Sequence, residues 1–153
     1  EKIYFTSGTK KLIYKIRLQP NLTLFFAHFS LKKGVRAEQL LQVRELIKET
    51  HGEVILLGDF NILTGFKELQ GLLHENNLKI LNDEAEPTFT FHRFRLALDL
   101  CICTQGIASH STLRIIPQDF SDHAALLLKV DTQSLHTLPA SQKNNKTNER
   151  CGA

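Results

Sequence analysis

The stretch Val54-Ile55-Leu56-Leu57-Gly58-Asp59-Phe60-Asn61 leaves the chain few ways to fold. Its aliphatic run reads as a buried strand, and the run stops abruptly at a glycine, a carboxylate and an amide. In extended backbone alternate residues share a face, so Asp59 and Asn61 are expected to point together into a cleft while Phe60 turns back into the core. A solvated turn is the plain alternative, because Gly, Asp and Asn are ordinary turn residues. The two readings part on whether other polar residues converge on the same strand end.

The 153 residues, 42% hydrophobic and 23% charged, suit one globular domain with a modest core. We read residues 1–131 as that domain and 132–153, rich in Ser, Thr, Gln, Asn and Lys without apolar periodicity, as a flexible polar tail. Of the formal charge of +3, Lys143, Lys146, Arg150 and Glu149 in that tail supply two units (three cations less one anion), so bulk charge shows no nucleic-acid footprint. No apolar run is long enough to span a bilayer and no signal-peptide pattern opens the chain, so a soluble, cytoplasmic protein is expected. Cys101, Cys103 and Cys151 are too few and too badly spaced for a disulfide framework or a zinc site. The first two read as small buried hydrophobes on one face of a strand.

Taken in order, residues 2–6 and 11–18 are apolar runs separated by a turn at Ser7-Gly8-Thr9-Lys10, and residues 22–29 (LTLFFAHF) form a third strand after Pro20-Asn21. A helical stripe of Ala37, Leu40, Leu41, Val43, Leu46 and Ile47 spans residues 36–49, with Gly52 beyond it as a stop. Strand, helix and buried strand predict a right-handed crossover between parallel strands, which brings His28 close to Asp59 and Asn61. A second helix is predicted over 65–75 with Thr64 as its N-cap, then a strand at 78–81 and an acidic loop at 83–87. His92-Arg93-Phe94-Arg95, where aromatics alternate with cations, reads equally as a surface turn or as a contact for an anionic substrate. Residues 96–103 form an apolar strand with one carboxylate, Asp99, which needs a partner or a changed pKa. Strands at 112–116 and 124–130 follow. If the last runs antiparallel to the strand ending at Gly58, Asp122 and His123 reach the same edge.

His28, Asp59, Asn61, Asp99, Asp122 and His123 thus converge without a serine or cysteine placed as nucleophile. Such a set suits hydrolysis by an activated water, with hard carboxylate oxygens favouring Mg²⁺ or Mn²⁺ over zinc, and with attack at phosphorus.

Ala27-His28-Phe29-Ser30, Gly58-Asp59-Phe60-Asn61, Leu98-Asp99 and Ser121-Asp122-His123, in this order, resemble the endonuclease/exonuclease/phosphatase superfamily from about residue 12 to 130. The resemblance implies a four-layer α/β sandwich of the deoxyribonuclease I-like type, of which this chain looks like the C-terminal half. It implies that His28 and His123 bind the scissile phosphate, Asp59 orients or deprotonates the attacking water, and Asn61 holds a phosphoryl oxygen. It further implies that Asp99 pairs with His123, and that Asp122 and Asp59 lie at a Mg²⁺ (or Mn²⁺) ion. Adjacent Asp122 and His123 can both face a cleft only outside regular strand, so a loop is expected at 119–123. The Asn and metal-binding Glu of the family's N-terminal half have no counterpart here. A metal-dependent phosphoesterase, active with an upstream half and sluggish without it, is therefore the first expectation. A non-catalytic remnant that binds a phosphate-containing ligand or a protein partner is the second. The expected partners are a phosphate-ester substrate, whether nucleic acid, lipid head group or inositol phosphate, and a missing N-terminal half or a second copy.

Overall fold

The computed structural model describes residues 1–9 and 12–131; the expected tail at 132–153, with Cys151, lies outside the described residues. Strands β1 (Lys2–Tyr4), β2 (Leu12–Gln19) and β3 (Leu22–His28) form an antiparallel meander. Helix α1 (Lys33–Lys48) then crosses to β4 (Glu53–Asp59), which pairs in parallel with β3. A 3₁₀ turn (Phe66–Leu69) runs into α2 (Gln70–Glu75), followed by β5 (Leu78–Ile80). A hairpin of β6 (Phe89–Phe91) and β7 (Phe94–Leu96) precedes β8 (Asp99–Thr104), the short helix α3 (Gln105–Ala108), β9 (Ser111–Ile116) and β10 (Ala125–Val130).

Six strands make one sheet in the order β1-β2-β3-β4-β8-β5. Its two faces are read directly from strand alternation. Phe25, Ala27, Val54, Leu56, Leu100 and Ile102 point to one face and pack beneath α1 and α2 with Leu40, Val43, Ile47 and Leu72. Leu22, Ile55, Cys101 and Cys103 point to the other and meet Leu113, Leu128 and Val130 of the β9–β10 ribbon and Ile107 of α3. Helices, large sheet and ribbon are successive layers of the expected α/β sandwich.

Several expectations are corrected. β10 does not pair with β4; it pairs antiparallel with β9 in a separate ribbon, and β8 takes the place beside β4. The apolar run 96–103 is not one strand, because Ala97 and Leu98 lie between β7 and β8. Thr64 does not cap a helix: Gly65 occupies the position before the 3₁₀ turn, with no side-chain cap. Helix α1 is turned so that Arg36 and Gln39 are buried while Leu41 is exposed. The charge of Arg36 is tolerated there because Glu68 meets it in two parallel bonds, Nε–Oε1 at 2.6 Å and Nη2–Oε2 at 3.0 Å.

Candidate functional site

Two strand registers assemble the site. His28 stands directly opposite Asp59 across the parallel β3–β4 pair, and Asp59 stands opposite Asp99 across the antiparallel β4–β8 pair. Three polar residues therefore form one row across three neighbouring strands, at the strand ends and on the face that carries Ile55 and Cys101. Their chain neighbours alternate inward and fix the row. Phe29 and Phe60 are fully buried and stack at 4.7 Å between ring centroids, while the Phe29 N–H donates to Asp59 O and the Phe60 N–H to Leu98 O.

Gly58 is what lets β3 and β4 close to this register. A Cβ there would lie 1.8 Å from the Ala27 carbonyl oxygen, and the residue has φ +148. Only glycine fits.

His28 Nε2 lies 3.1 Å from Asp59 Oδ2. Asn61, at φ 53 in the left-handed region that Asn tolerates, folds back on the same carboxylate: its backbone N–H donates to Asp59 Oδ1 and its Nδ2 to Oδ2, both at 3.0 Å. The remaining Nδ2 hydrogen goes to Phe29 O at 3.0 Å. In this geometry both amide hydrogens of Asn61 are engaged, one of them by the Asp59 carboxylate.

At the other end of the row, Asp99 Oδ2 lies 2.7 Å from His123 Nδ1, the imidazole partner that a carboxylate in so apolar a strand requires. His123 arrives from a loop, as expected at 119–123. It makes an isolated bridge to Phe89, its N–H donates to Ser121 Oγ, and the Asp122 carbonyl accepts from Thr90 N. The backbone of Asp99 is held by residues the sequence did not single out. Thr88 Oγ1 accepts from the N–H groups of Leu98 and Asp99, and Asn82 bridges Asp99 O and Cys101 N. A threonine between charged loop and aromatic strand carries no visible signal of this role. Arg36 and Gln39 did carry one, since they occupy the apolar stripe of α1 with Leu40, Val43 and Ile47. Arg36 Nη1 donates to Ser30 O and Leu31 O, and Gln39 ties Ser30 N to Ser7 O, so both shape the loop after His28.

Burial, and then the neighbouring charge of Asp99, raise the pKa of Asp59 above the usual carboxylate range, against the opposing pull of His28 and of the Asn61 N–H. For His123, partial burial disfavours the imidazolium, but the hydrogen bond and charge of Asp99, with Asp59 and Asp122 behind it, prevail and raise the pKa. Cys101 and Cys103 stay protonated, pushed up to about 12 by burial first; a thiolate at Cys103 would oppose ionisation of Cys101, and the Glu53 carboxylate opposes that of Cys103.

A cleft of about 390 Å³ opens beside the row, lined by His28, Asp59 and Asn61 with Gly8, Ser30 and Lys32. His123 does not line that cleft; it stands across Asp59 and Asp99 from it. Asp122 is exposed, and among the described residues no three His, Cys, Asp or Glu side chains come together to hold a metal. Asp59 Oδ1 accepts from the Asn61 N–H, and Oδ2 meets Asn61 Nδ2 and His28 Nε2, which leaves Oδ1 a lone pair for a further partner. Asp59 and Asp122 by themselves do not complete an octahedral oxygen shell, so a divalent ion held here needs further ligands.

A sheet-centred α/β sandwich with a His–Asp–Asp–His row at its strand ends defines a deoxyribonuclease I-like protein. The chain belongs to the Endonuclease/Exonuclease/phosphatase family, whose model matches residues 5–123. Members of that family generally use divalent metal ions. No curated protein matches the sequence. Among solved structures it is similar to the endonuclease domain of TRAS1, a telomere-specific non-LTR retrotransposon, at 23% identity and TM-score 0.62 over 87% of this chain and 68% of that one. It is similar to the 3′ phosphatase NExo from Neisseria, bound to product DNA hairpin, at 14% identity and TM-score 0.60 over 81% and 66%. It is also similar to D. rerio TDP2 complexed with single strand DNA product, at 18% identity and TM-score 0.60 over 82% and 64%. The chain spans about two thirds of the length of these three structures. At such identities the likeness is one of fold.

Proposed function

We propose that the chain is a phosphoesterase whose row of His28, Asp59, Asp99 and His123 handles the phosphoryl group and the water that attacks it. The observation that carries this reading is the unbroken cross-strand row, with one imidazole at each end of a carboxylate pair. His28 and a protonated His123 donate to non-bridging phosphoryl oxygens, where charge builds as the water oxygen bonds to phosphorus and the ester bond breaks. Asp59, its pKa raised, orients that water and takes its proton. Asn61 holds Asp59 in place, and Asp99 keeps His123 charged and correctly turned. A Mg²⁺ or Mn²⁺ ion would stabilise the same developing charge when bound, but its shell needs ligands in addition to the described side chains. Two of the similar structures hold DNA products, which supports a nucleic-acid phosphoester as substrate.

The test is hydrolysis of bis(p-nitrophenyl) phosphate with Mg²⁺ or Mn²⁺ by the wild type, His123→Ala and Asp59→Asn. Turnover that falls on the order of a hundredfold or more in both variants is expected. Phosphate binding without turnover, lost in His123→Ala, would replace the hydrolase by a phosphate-binding remnant.

A further inference from the structure

The β6–β7 hairpin is the part of the molecule that the hydrolytic row leaves unexplained. Phe91 and Phe94 face each other across the two strands and are 51% and 56% exposed. Two phenyl rings left in water on one side of a small hairpin form an apolar patch that the fold itself does not use. The patch is continuous with the site. On the same face one step inward stand Phe89 and Leu96, and the Phe89 ring meets the His123 imidazole edge-on at 5.0 Å. An aromatic ladder therefore leads outward from the phosphate-binding histidine.

Cations edge this ladder. Arg93 lies over the Phe94 ring, its Cζ 5.8 Å from the centroid, His92 at the turn meets Phe91 at 4.4 Å, and Arg95 pairs with Thr90 on the opposite face. Neither arginine forms an ion pair among the described residues. Rings that offer flat faces, edged by the Arg93 guanidinium and starting at His123, complement a polyanion that carries planar groups of its own.

We propose that the β6–β7 hairpin is a stacking arm for the unpaired bases of a single-stranded polynucleotide, with Phe91 and Phe94 taking successive bases and Arg93, over the Phe94 ring, the phosphate between them. The proposal rests on the phosphoesterase reading and names its substrate class. Single strands are favoured over duplex because paired bases keep their faces stacked on each other. They are favoured over a membrane because the rings line a face that begins at His123, along the route by which the rest of a phosphate-bound substrate must leave. With only one arginine engaged, affinity rests mainly on stacking, which agrees with the absence of a bulk basic charge.

Fluorescence anisotropy of a labelled oligothymidylate, its duplex with oligoadenylate, and vesicles of phosphatidylcholine and phosphatidylserine tests this with the full chain. The single strand is expected to bind more tightly than the duplex and the vesicles. Phe91→Ala and Phe94→Ala, exposed positions that cost the core nothing, are each expected to weaken it roughly fivefold to a hundredfold. Arg93→Gln is expected to flatten the log–log salt slope by about 0.7, and Arg95→Gln, on the opposite face, to leave it unchanged. Equal binding of single strand and duplex, wild-type binding by both Phe variants, or vesicle binding in place of oligonucleotide binding would overturn the proposal. Bis(p-nitrophenyl) phosphate turnover by the wild type reads the hydrolase separately: turnover with hairpin-independent oligonucleotide binding defeats the stacking arm alone, and hairpin-dependent binding without turnover defeats the hydrolase alone.

Discussion

Asp59 and His123 are tuned in the same direction, and the sign of each shift sets a pH dependence. Asp59 has its pKa raised in the fold, so the cost of its ionisation is absent in acid and sets in as pH rises through the raised value. His123 also has a raised pKa, so its charge contributes stability that is fully present below about 6.5 and is lost as pH rises through the folded value. Hydrolysis that needs ionised Asp59 and charged His123 is expected to follow a bell-shaped kcat/KM profile, its acid limb above the ordinary carboxylate range and its alkaline limb above the ordinary histidine range. Asp99→Asn removes a charge that raises both, so both limbs should move to lower pH and the maximum rate should fall on the order of a hundredfold. A pH–rate series for the two proteins checks this, and an alkaline limb unmoved in Asp99→Asn would separate the limb from His123. His28, Asp59, Asn61, Asp99 and His123 all announced themselves as polar residues at or within apolar strands. Thr88 and Asn82, which hold the Asp99 backbone, did not, because loop threonines and asparagines look alike whether or not a strand end leans on them.

Strand pairing, more than any single side chain, aligns the row, and Gly58 is where it is most exposed to damage. Gly58→Ala places a methyl group against the Ala27 carbonyl, so β3 and β4 must part at the row that aligns His28 with Asp59. A loss of about 1–3 kcal/mol in denaturant unfolding is expected, with activity falling further than stability alone explains. Helix α1 offers a second test. Arg36→Ala leaves Glu68 buried without its partner and frees the carbonyls of Ser30 and Leu31, so a loss of roughly 3–5 kcal/mol is expected, against little change for exposed Leu41→Ala. Equal unfolding midpoints for Arg36→Ala and the wild type would contradict it. The parallel β3–β4 crossover was legible because strand, helix and buried strand admit one handedness. The place of β10 was not, since an apolar run of that length fits beside β4 or in a ribbon above it, and only the rival claim of β8 decides. The break at Ala97-Leu98 was hidden for a similar reason: both residues are buried, so hydropathy runs on where hydrogen bonding stops.

The molecule as a whole brings together residues 28, 59, 99 and 123, far apart in the chain, at one end of one sheet. The strand–helix–strand crossover was readable from the alternation of elements and the sandwich layering was implied by the family resemblance, but the coverage of the sheet was not. The β9–β10 ribbon covers β4 and β8, whereas on β2 and β3 the same face leaves Tyr14, Ile16, Leu18 and Phe26 in part exposed. A face of this kind is suited to a further layer, which fits a chain that covers about two thirds of the structures it resembles. The convergence itself can be read without turnover, from the imidazole nitrogens in a long-range ¹H–¹⁵N spectrum during titration with inorganic phosphate. His28 and His123 are expected to shift together and saturably, while His74 on α2 and His110, beyond the far end of β8, stay in place. Shifts of all four rings alike, or of neither His28 nor His123, would contradict the assignment of this row as a phosphate-handling site.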